Sequence, residues 1–505
     1  MFSREISHAS LPGSSRPAAL FMTQAALAVA AALALGACGG GGDSASTPQP
    51  VSLTQGTANT GGGTATPDTG TGTGTGSSGG TSPPPIHDAP APSIPTPEGY
   101  QRVTAQSLQA QVNMAYAIDA SAASPTTITL PVDARAGDTL KLQGIGAGSW
   151  RVAQGTGQEV ITSALPSLTW QEIGPSPKSQ PWWAVASSWD GSILMAASNP
   201  GNLYLSSDGG TTWTQRLHTT HWSALAITPD GQHMVATAFG EHAWVSHDHG
   251  QTWTETAEVR DWVSAAISND GQRIAIDGKA DRVHVSSDGG RTWSAHTGVA
   301  DWQSVASSSD GLRLFAGVGP GVPPVGSGSL WLSDDAGITW RTTAAGLRAW
   351  YRVASSQDGQ FLSASDAGGY LYISQDRGVN WAPRFREGPI NFISMSGDTH
   401  QMVVDVPKVQ AILPDGKIHL STDRGLTWIA LEQDRIWRGL TLSGDGRVLL
   451  AADHEGTLHL SRGHRTRQGS DGFIGAGPSD SLELECLGNG VWRVRAASGT
   501  GFSVH

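Results

Sequence analysis

Two aspartates, Asp261 and Asp301, are the residues of this chain whose type and spacing best fit acid–base chemistry. They stand 40 residues apart, each directly before a tryptophan, Trp262 and Trp302. Glycoside hydrolysis needs two carboxyl groups with separated pKa values, held at a defined distance across the sugar. Solvated loop carboxylates are the simpler interpretation of this pair. The sequence therefore leaves enzymatic activity uncertain and favours a protein that is not an enzyme.

A second set of residues indicates binding. They lie beside a repeated aromatic position and differ from one repeat to the next: Trp183, Gln303, Tyr351, Arg352 and Arg438. Aromatic rings and arginines are enriched where proteins bind partners. We therefore predict that these five residues form a binding patch on the face of the fold that carries its variable loops.

A cluster of histidines does not have the spacing of a metal site. The cluster consists of His218, His221, His233, His242, His247 and His249. None of them forms the close pair on one helix that zinc sites use. We predict no metal and no cofactor.

One turn motif, Ser-x-Asp-x-Gly-x-Thr-Trp, recurs along the chain with small variations. Its six aspartates are Asp208, Asp248, Asp288, Asp335, Asp376 and Asp423, spaced 40, 40, 47, 41 and 47 residues apart. A period near 40 with short strands is typical of propeller blades. The carboxylate can accept N–H bonds within the turn, and the glycine adopts a conformation that other residues resist. We predict a structural role for all six aspartates.

Two other markers predict seven blades. Aromatic residues open the first strand of each repeat: Trp182, Trp222, Trp262, Trp302, Trp350, Phe392 and Trp437. An Asp-Gly or Asp-Thr hairpin turn follows each of them. The last repeat lacks its Thr-Trp strand, which we expect Trp170–Ile173 to supply, closing the ring. The predicted fold is all-β, a seven-bladed propeller whose N-terminal strand completes the last blade.

A small β domain flanks the repeats. Residues 138–152 and 480–494 match each other without a gap, each ending in Trp-Arg-Val. We predict that the propeller, residues 167–464, is inserted into a split domain built from residues 98–166 and 465–505. Domain insertion is common where chain ends meet.

The N-terminal part of the chain has the composition of a targeting segment and a tether. Residues 1–38 read as a signal peptide with an apolar stretch that ends at Cys38. Residues 39–97 are rich in Gly, Ser, Thr and Pro, a composition that cannot bury enough surface to fold. We predict a disordered linker there.

The overall charge argues against nucleic acid as a partner. The net charge is −12, whereas nucleic-acid binding needs a basic surface.

Cys486 has no partner for an intramolecular disulfide once Cys38 is modified. We expect a monomer.

Two resemblances add to this interpretation. Leu35-Gly-Ala-Cys38 resembles a bacterial lipobox, and Gly39 is similar to the residue found in lipoproteins sorted to the outer membrane. The repeats resemble the Asp-box, or BNR, superfamily. Openings such as Trp302-Gln-Ser-Val-Ala-Ser-Ser-Ser-Asp-Gly311 look most like those of the photosystem II assembly-factor propellers, which are binding proteins.

These resemblances imply an outer-membrane, lipid-anchored propeller at the bacterial cell envelope. Its expected role is non-catalytic binding of a protein or glycan, as a scaffold or in assembly, with the lipid as its only membrane contact. The alternative is an Asp-box glycoside hydrolase, either sialidase-like or xyloglucanase-like. We find no Arg-Ile-Pro motif of the sialidase kind.

Overall fold

The computed structural model describes residues 95–165, 170–175, 180–319, 328–407, 416–431 and 434–505. The predicted signal peptide, its Cys38 and almost all of the predicted linker lie outside these ranges. In the part of the chain that is described, no helix is long and apolar enough to cross a membrane. The secondary structure there is made of β-strands.

The strands fall into three groups along the chain. The first group is β1 (Gln101–Val103), β2 (Ser107–Gln109), β3 (Met114–Ile118), β4 (Thr126–Thr129), β5 (Thr139–Gly144), β6 (Trp150–Ala153) and β7 (Glu159–Ile161). The second group begins with β8 (Trp170–Ile173), β9 (Trp182–Ser187), β10 (Leu194–Ser198), β11 (Gly201–Ser206), β12 (Thr214–Thr220), β13 (Trp222–Ile227), β14 (Met234–Ser246), β15 (Thr254–Ile267), β16 (Ile274–Gly278), β17 (His284–Ser286) and β18 (Ser294–Ala295).

The second group continues through the later repeats, and a short third group ends the chain. The second group ends with β19 (Trp302–Ser307), β20 (Leu314–Val318), β21 (Leu330–Ser333), β22 (Arg341–Thr342), β23 (Trp350–Ser355), β24 (Leu362–Asp366), β25 (Tyr370–Ser374), β26 (Ala382–Arg386), β27 (Ile393–Met395), β28 (Met402–Pro407), β29 (Gly416–Ser421), β30 (Ile429–Ala430), β31 (Trp437–Leu442), β32 (Val448–Asp453) and β33 (Leu458–Arg462). The third group is β34 (Phe473–Ala476), β35 (Ser481–Gly488), β36 (Val491–Ser498) and β37 (Ser503–Val504).

The second group forms a β-propeller of six sheets. Five sheets have four strands: β9–β12, β19–β22, β23–β26, β27–β30, and β31–β33 with β8. The sixth has six strands, β13–β18. The prediction of seven separate blades is therefore wrong, because the second and third repeats share one sheet.

The second and third repeats share one sheet because of local strand pairing. Strand β14 continues through Phe239 and Gly240, and β15 continues through Asp261. Phe239 pairs with Asp261, directly before Trp262 begins the ladder with β16. In the first repeat, by contrast, Pro200 separates β10 from β11, and proline has no N–H to give to a ladder.

The inner strands form a ring, and the N-terminal strand closes it. Each inner strand, from β9 through β13, β15, β19, β23, β27 and β31, contacts the next, and β31 contacts β9. Strand β8 pairs antiparallel with β33, with Trp170 opposite Ser461 and Ile173 opposite Leu458. The Trp170 and Trp437 rings stack with centroids 6.0 Å apart. The predicted closing strand is thus present.

The Asp-box turns are tied together by one set of hydrogen bonds. Ser206 Oγ donates to Asp208 at 2.8 Å, and Asp208 accepts both the Thr212 N–H, at 2.8 Å, and the Thr212 hydroxyl, at 2.6 Å. Trp213 Nε1 donates to the Gly210 carbonyl at 3.1 Å. Gly210 has φ of +94°, a conformation that favours glycine. The hydrogen bonds from Thr212 lower the pKa of Asp208 to about 2.

The tryptophans that open the inner strands are packing residues. Trp222 and Trp262 have no exposed surface, and the indole N–H groups donate to main-chain carbonyls, as Trp222 Nε1 does to Gly201 at 2.9 Å. The Trp222 and Trp244 rings meet edge to face at 4.9 Å. These rings fill the space between neighbouring repeats.

The assignment of Phe392 to this set is wrong by two residues. Ser396 accepts the N–H of Gln401 and donates to Asp398. Ser268, which lies six residues after Trp262, makes the same two hydrogen bonds, with Arg273 and Asp270. Six residues before Ser396 stands Ile390, which is 1% exposed. The sixth repeat thus fills the position with an aliphatic side chain, and Phe392 corresponds to Arg352.

Strands from both ends of the chain form two further sheets, the terminal sheets. Their strand orders are β1-β3-β5-β35-β36-β7 and β2-β4-β6-β34-β37. The two matched segments meet directly, because β5 pairs antiparallel with β35, with Leu142 opposite Leu482. Trp150 and Trp492 are both buried in one core with strands from either end. Residues 94–505 form a single compact unit, so the division into two domains stays a prediction.

Ion pairs join the terminal sheets to the propeller. Arg493 Nη1 lies 2.8 Å from the Asp423 carboxylate of an Asp-box turn, and its Nη2 lies 2.9 Å from Glu485. Arg465, only 5% exposed, contacts Glu159 of β7 at 3.0 Å and Asp398 of a hairpin turn at 2.7 Å. These ion pairs therefore connect the terminal sheets with turns of the propeller.

Ring closure can be tested by replacing Trp170–Ile173 with Gly and Ser residues of the same length. The change removes the Trp170 ring from the core and leaves the edge of β33 unpaired. We expect the free energy of unfolding to fall by at least about 3 kcal/mol, with self-association through the exposed edge. Chemical denaturation and light scattering measure both effects.

The matched control replaces Ser121–Ala123, an exposed segment, in the same way and should leave stability unchanged. Equal stability of the two variants would show that the ring does not depend on β8.

Candidate functional site

Four of the five predicted binding residues occupy the same place in an inner strand. Trp183, Gln303, Tyr351 and Arg438 are each the second residue of their strand. At each of these positions the pairing register shifts and leaves the second residue out of the ladder. Such bulges redirect side chains and are frequent beside functional sites. All four side chains are half-buried.

Arginines and aromatic rings are paired at this end of the ring. The guanidinium carbon of Arg438 lies 5.7 Å from the centroid of the Trp183 ring. That of Arg352 lies 5.5 Å from the centroid of Phe392. Both distances fit cation–π attraction, which is strongest where water is partly excluded. We call Trp183, Gln303, Arg352, Phe392 and Arg438 the ring-mouth cluster.

Arg352 links three neighbouring repeats. Its Nε donates to the Asn391 carbonyl at 2.7 Å, and its Nη1 donates to the Gln303 carbonyl at 3.2 Å. Tyr351 precedes Arg352 in β23, but in the described residues no hydrogen bond or ring contact joins its side chain to the cluster. The structure thus brings four of the five predicted residues into two contacting pairs, Arg438 with Trp183 and Arg352 with Gln303.

Two buried carboxyl groups, Asp277 and Asp405, stand on the second strands behind this cluster. Asp277 has no exposed surface, and neither of its carboxyl oxygens has a hydrogen-bond partner of good geometry among the described residues. Asp405, 2% exposed, accepts the N–H groups of Asn391 at 2.9 Å and Phe392 at 2.6 Å. Neither residue is among those predicted from the sequence, although each is an aspartate within an apolar strand.

Burial controls the protonation of these groups. It raises the pKa of Asp277 to about 7, against the opposing charge of Arg352. It also raises the pKa of Asp405 to about 6, against hydrogen bonds from Phe392 and Asn391 and the charge of Arg352. Burial lowers the pKa of Arg438, and the Asp405 carboxylate opposes that shift. The ring mouth therefore holds two arginines near acids that titrate close to neutral pH.

The two candidate catalytic aspartates are not joined in the structure. Asp261 is exposed within β15, and Asp301 is half-buried just before β19. Burial raises the pKa of the Asp301 carboxyl, and Lys279 opposes this. No hydrogen bond links the two carboxyl groups among the described residues. A catalytic role for the pair stays a prediction.

The histidine cluster contains one close contact but no metal-ligand group. His233 Nδ1 and His247 Nδ1 lie 2.8 Å apart. In the part of the chain that the structure describes, no group of three or more His, Cys, Asp or Glu residues could hold a metal ion.

Comparison with known proteins agrees with the repeat motif. A family model described as BNR/Asp-box repeat matches residues 244–255, the second Asp-box turn and its neighbouring strands. No curated protein matches the chain. The chain is similar to the solved structure "YCF48 from Cyanidioschyzon merolae", with 14% identity and a TM-score of 0.46, over 58% of this chain and 98% of that one. It is also similar to "YCF48 bound to D1 peptide", with 12% identity and a TM-score of 0.44, over 58% of this chain and 96% of that one.

The buried acid can be tested by Asp277→Asn, because asparagine has the shape of the protonated carboxyl group. An ordinary aspartate ionises near pH 4 when unfolded, whereas folded Asp277 keeps its proton up to about pH 7. The wild-type chain therefore loses stability from this group as pH rises from about 4 to about 7. We expect Asp277→Asn to stabilise the protein by up to about 4 kcal/mol at pH 8, and by less at pH 5.

Thermal unfolding of both proteins at the two pH values measures this difference. Asp261→Asn is the control: the position is exposed, so removing its charge relieves no burial and should not stabilise the protein. A gain for Asp277→Asn that does not change between pH 5 and pH 8 would contradict the assignment.

Proposed function

We propose that this protein is a non-catalytic binding propeller, held at the bacterial cell envelope by a lipid on Cys38, that binds a protein partner through the ring-mouth cluster. The observation that carries the proposal is the pairing of Arg438 with Trp183 and of Arg352 with Phe392. Both pairs lie at positions where the residue type differs from repeat to repeat.

The cluster has the composition and the rigidity of an interface centre. Tryptophan and arginine dominate the binding energy of protein interfaces. The guanidinium of Arg352 is already held by the Asn391 and Gln303 carbonyls. Binding to it would lose less side-chain entropy than binding to a free arginine. The half-buried rings supply apolar area beside the charge.

The buried acids support binding over hydrolysis. A glycosidase needs an acid with a raised pKa in contact with the glycosidic oxygen. Burial raises the pKa of Asp277 to about 7 and that of Asp405 to about 6. Both carboxyl groups are almost fully buried behind the inner strands. They favour a role in positioning the arginines.

A test of the binding site uses Trp183→Ala and Arg438→Gln. An envelope protein captured by the full chain would first be identified and purified, and its Kd measured by calorimetry. We expect each variant to weaken binding by at least about tenfold, as hot-spot residues do. The melting temperature should change little, because both side chains are half-buried at the ring mouth.

The controls carry the same substitutions elsewhere. Trp189→Ala, at a position 37% exposed, and Arg341→Gln, in an outer strand, should leave the Kd unchanged. An unaltered Kd for both ring-mouth variants would overturn the proposed site. Retention of an envelope polysaccharide, with no protein, would replace the protein partner with a glycan.

The hydrolase alternative has its own assay. Turnover of aryl glycosides or xyloglucan by the purified chain, abolished by Asp261→Asn or Asp301→Asn, would overturn the non-catalytic proposal. The non-catalytic proposal expects no turnover in any of these proteins.

The proposed anchor is tested by Cys38→Ser. A diacylated cysteine binds membranes stably, because each buried methylene contributes about 0.8 kcal/mol. We expect the wild-type chain to partition into detergent and the variant into the aqueous phase. A Cys486→Ser variant, which changes the other cysteine of the chain, should behave as the wild type does. Detergent partition of the Cys38 variant would contradict the anchor.

A further inference from the structure

An open cleft lies between the propeller and the terminal sheets, at the end of the inner strands opposite the ring mouth. Asp190 follows the last residues of β9, whereas Trp183 stands at the start of that strand. A strand of this length separates the two regions by roughly 20 Å. The cleft has a volume of about 580 Å³ and is lined by the segment after β33, by β34 and by the end of the chain at His505. It does not belong to the site described above.

Arginines dominate the lining of this cleft. Arg447, Arg462, Arg465 and Arg467 line it, together with two carboxylates, Asp190 and Asp471. The chain as a whole carries a net charge of −12, so four arginines at one cleft stand out from the composition. Three of the four arginines come from the six residues 462–467, the stretch in which the last repeat departs from the Asp-box pattern.

Two of the arginines are exposed and have no acidic partner in the part of the chain that the structure describes. Arg462 donates to the Gly209 carbonyl, and the Arg467 side chain is exposed. Among the described residues, neither forms an ion pair with a carboxylate. Their charges are therefore available to a ligand.

The other two arginines are fixed in place. Arg447 donates to the Thr466 carbonyl through Nε at 3.3 Å and Nη2 at 3.1 Å, and its Nε lies 3.7 Å from Asp445. Arg465 is only 5% exposed and uses Nη1 for Glu159 and Asp398 and Nε for Gln401. Its remaining amino group, Nη2, is buried and has no partner among the described residues. A buried guanidinium with a free donor leaves a hydrogen bond for a ligand to complete.

We propose that this arginine cleft binds a small phosphorylated ligand, a phosphate monoester carried on a sugar-sized group. Guanidinium groups match phosphate oxygens through paired hydrogen bonds, and a dianion gains from several arginines at once. The cleft is within the size range of small-molecule sites and larger than a phosphate ion needs. The proposal is independent of the partner proposed for the ring mouth.

Calorimetry with the full-length chain tests the proposal. The probes are glucose 6-phosphate, inorganic phosphate, glucose and glucuronate. We expect saturable binding of glucose 6-phosphate that weakens as salt is raised, weaker binding of inorganic phosphate, and none of glucose. Glucuronate, with a single negative charge, should bind at least about tenfold more weakly than the phosphate ester.

A double variant, Arg462→Gln with Arg467→Gln, should weaken glucose 6-phosphate binding by at least about tenfold. Both side chains are exposed, so the fold should survive, and the melting temperature checks this. The control is Arg273→Gln with Arg313→Gln, which removes the same charge from the matching rim of other repeats, where these arginines donate to main-chain carbonyls. It should bind as the wild type does.

Three outcomes would overturn the proposal: no saturable binding of glucose 6-phosphate at millimolar concentration, equal binding of glucuronate, or equal weakening in the control variant. The last would show attraction to general positive charge and no defined site.

Discussion

The pairing of β8 with β33 is the contact on which the arrangement of the whole chain depends. A ring of sheets is stable only when its first and last members meet, and here the last sheet lacks an outer strand of its own. Four residues from the N-terminal side supply it. Strand β8 is the first strand of the propeller and β33 is the last. Because these two strands pair with each other, the chain enters and leaves the ring at one place. The terminal sheets can then form from both flanks, and the arginine cleft lies where they meet the propeller.

Much of the fold could be predicted because its signals are local. The Asp-box motif specifies a turn in which Asp208 binds residues within four positions of itself, so residue types alone identify it. The closing strand could be predicted from the Trp-containing strand that the last repeat lacks. The match between residues 138–152 and residues 480–494 likewise predicted that these segments belong together. In the structure they pair, with Leu142 opposite Leu482.

The errors arose where the outcome depends on pairing between strands. The sheet count was wrong because Phe239 pairs with Asp261 and extends one ladder into the next repeat, which no turn motif reveals. Aromaticity alone selects Phe392 for the position of the buried tryptophans, whereas the register set by Ser396 selects Ile390. Asp277 and Asp405 do not stand out by residue type, because most aspartates of the repeats belong to turns. Their flanking apolar residues, as in Ile276 and Val404, were the available signal for buried acids.

The terminal sheets also determine how the molecule would respond to mechanical load. Strand β1 pairs in parallel with β3, while β37 pairs antiparallel with β34 at the edge of the other sheet. A force pulling on Gln101 and Val504 would therefore act first on these edge strands and not on the inner ring. Strand β37 is two residues long and pairs with β34 through both of them, so it would give way early. The propeller would unfold only after the terminal sheets had yielded, so they would act as a mechanical buffer for the ring.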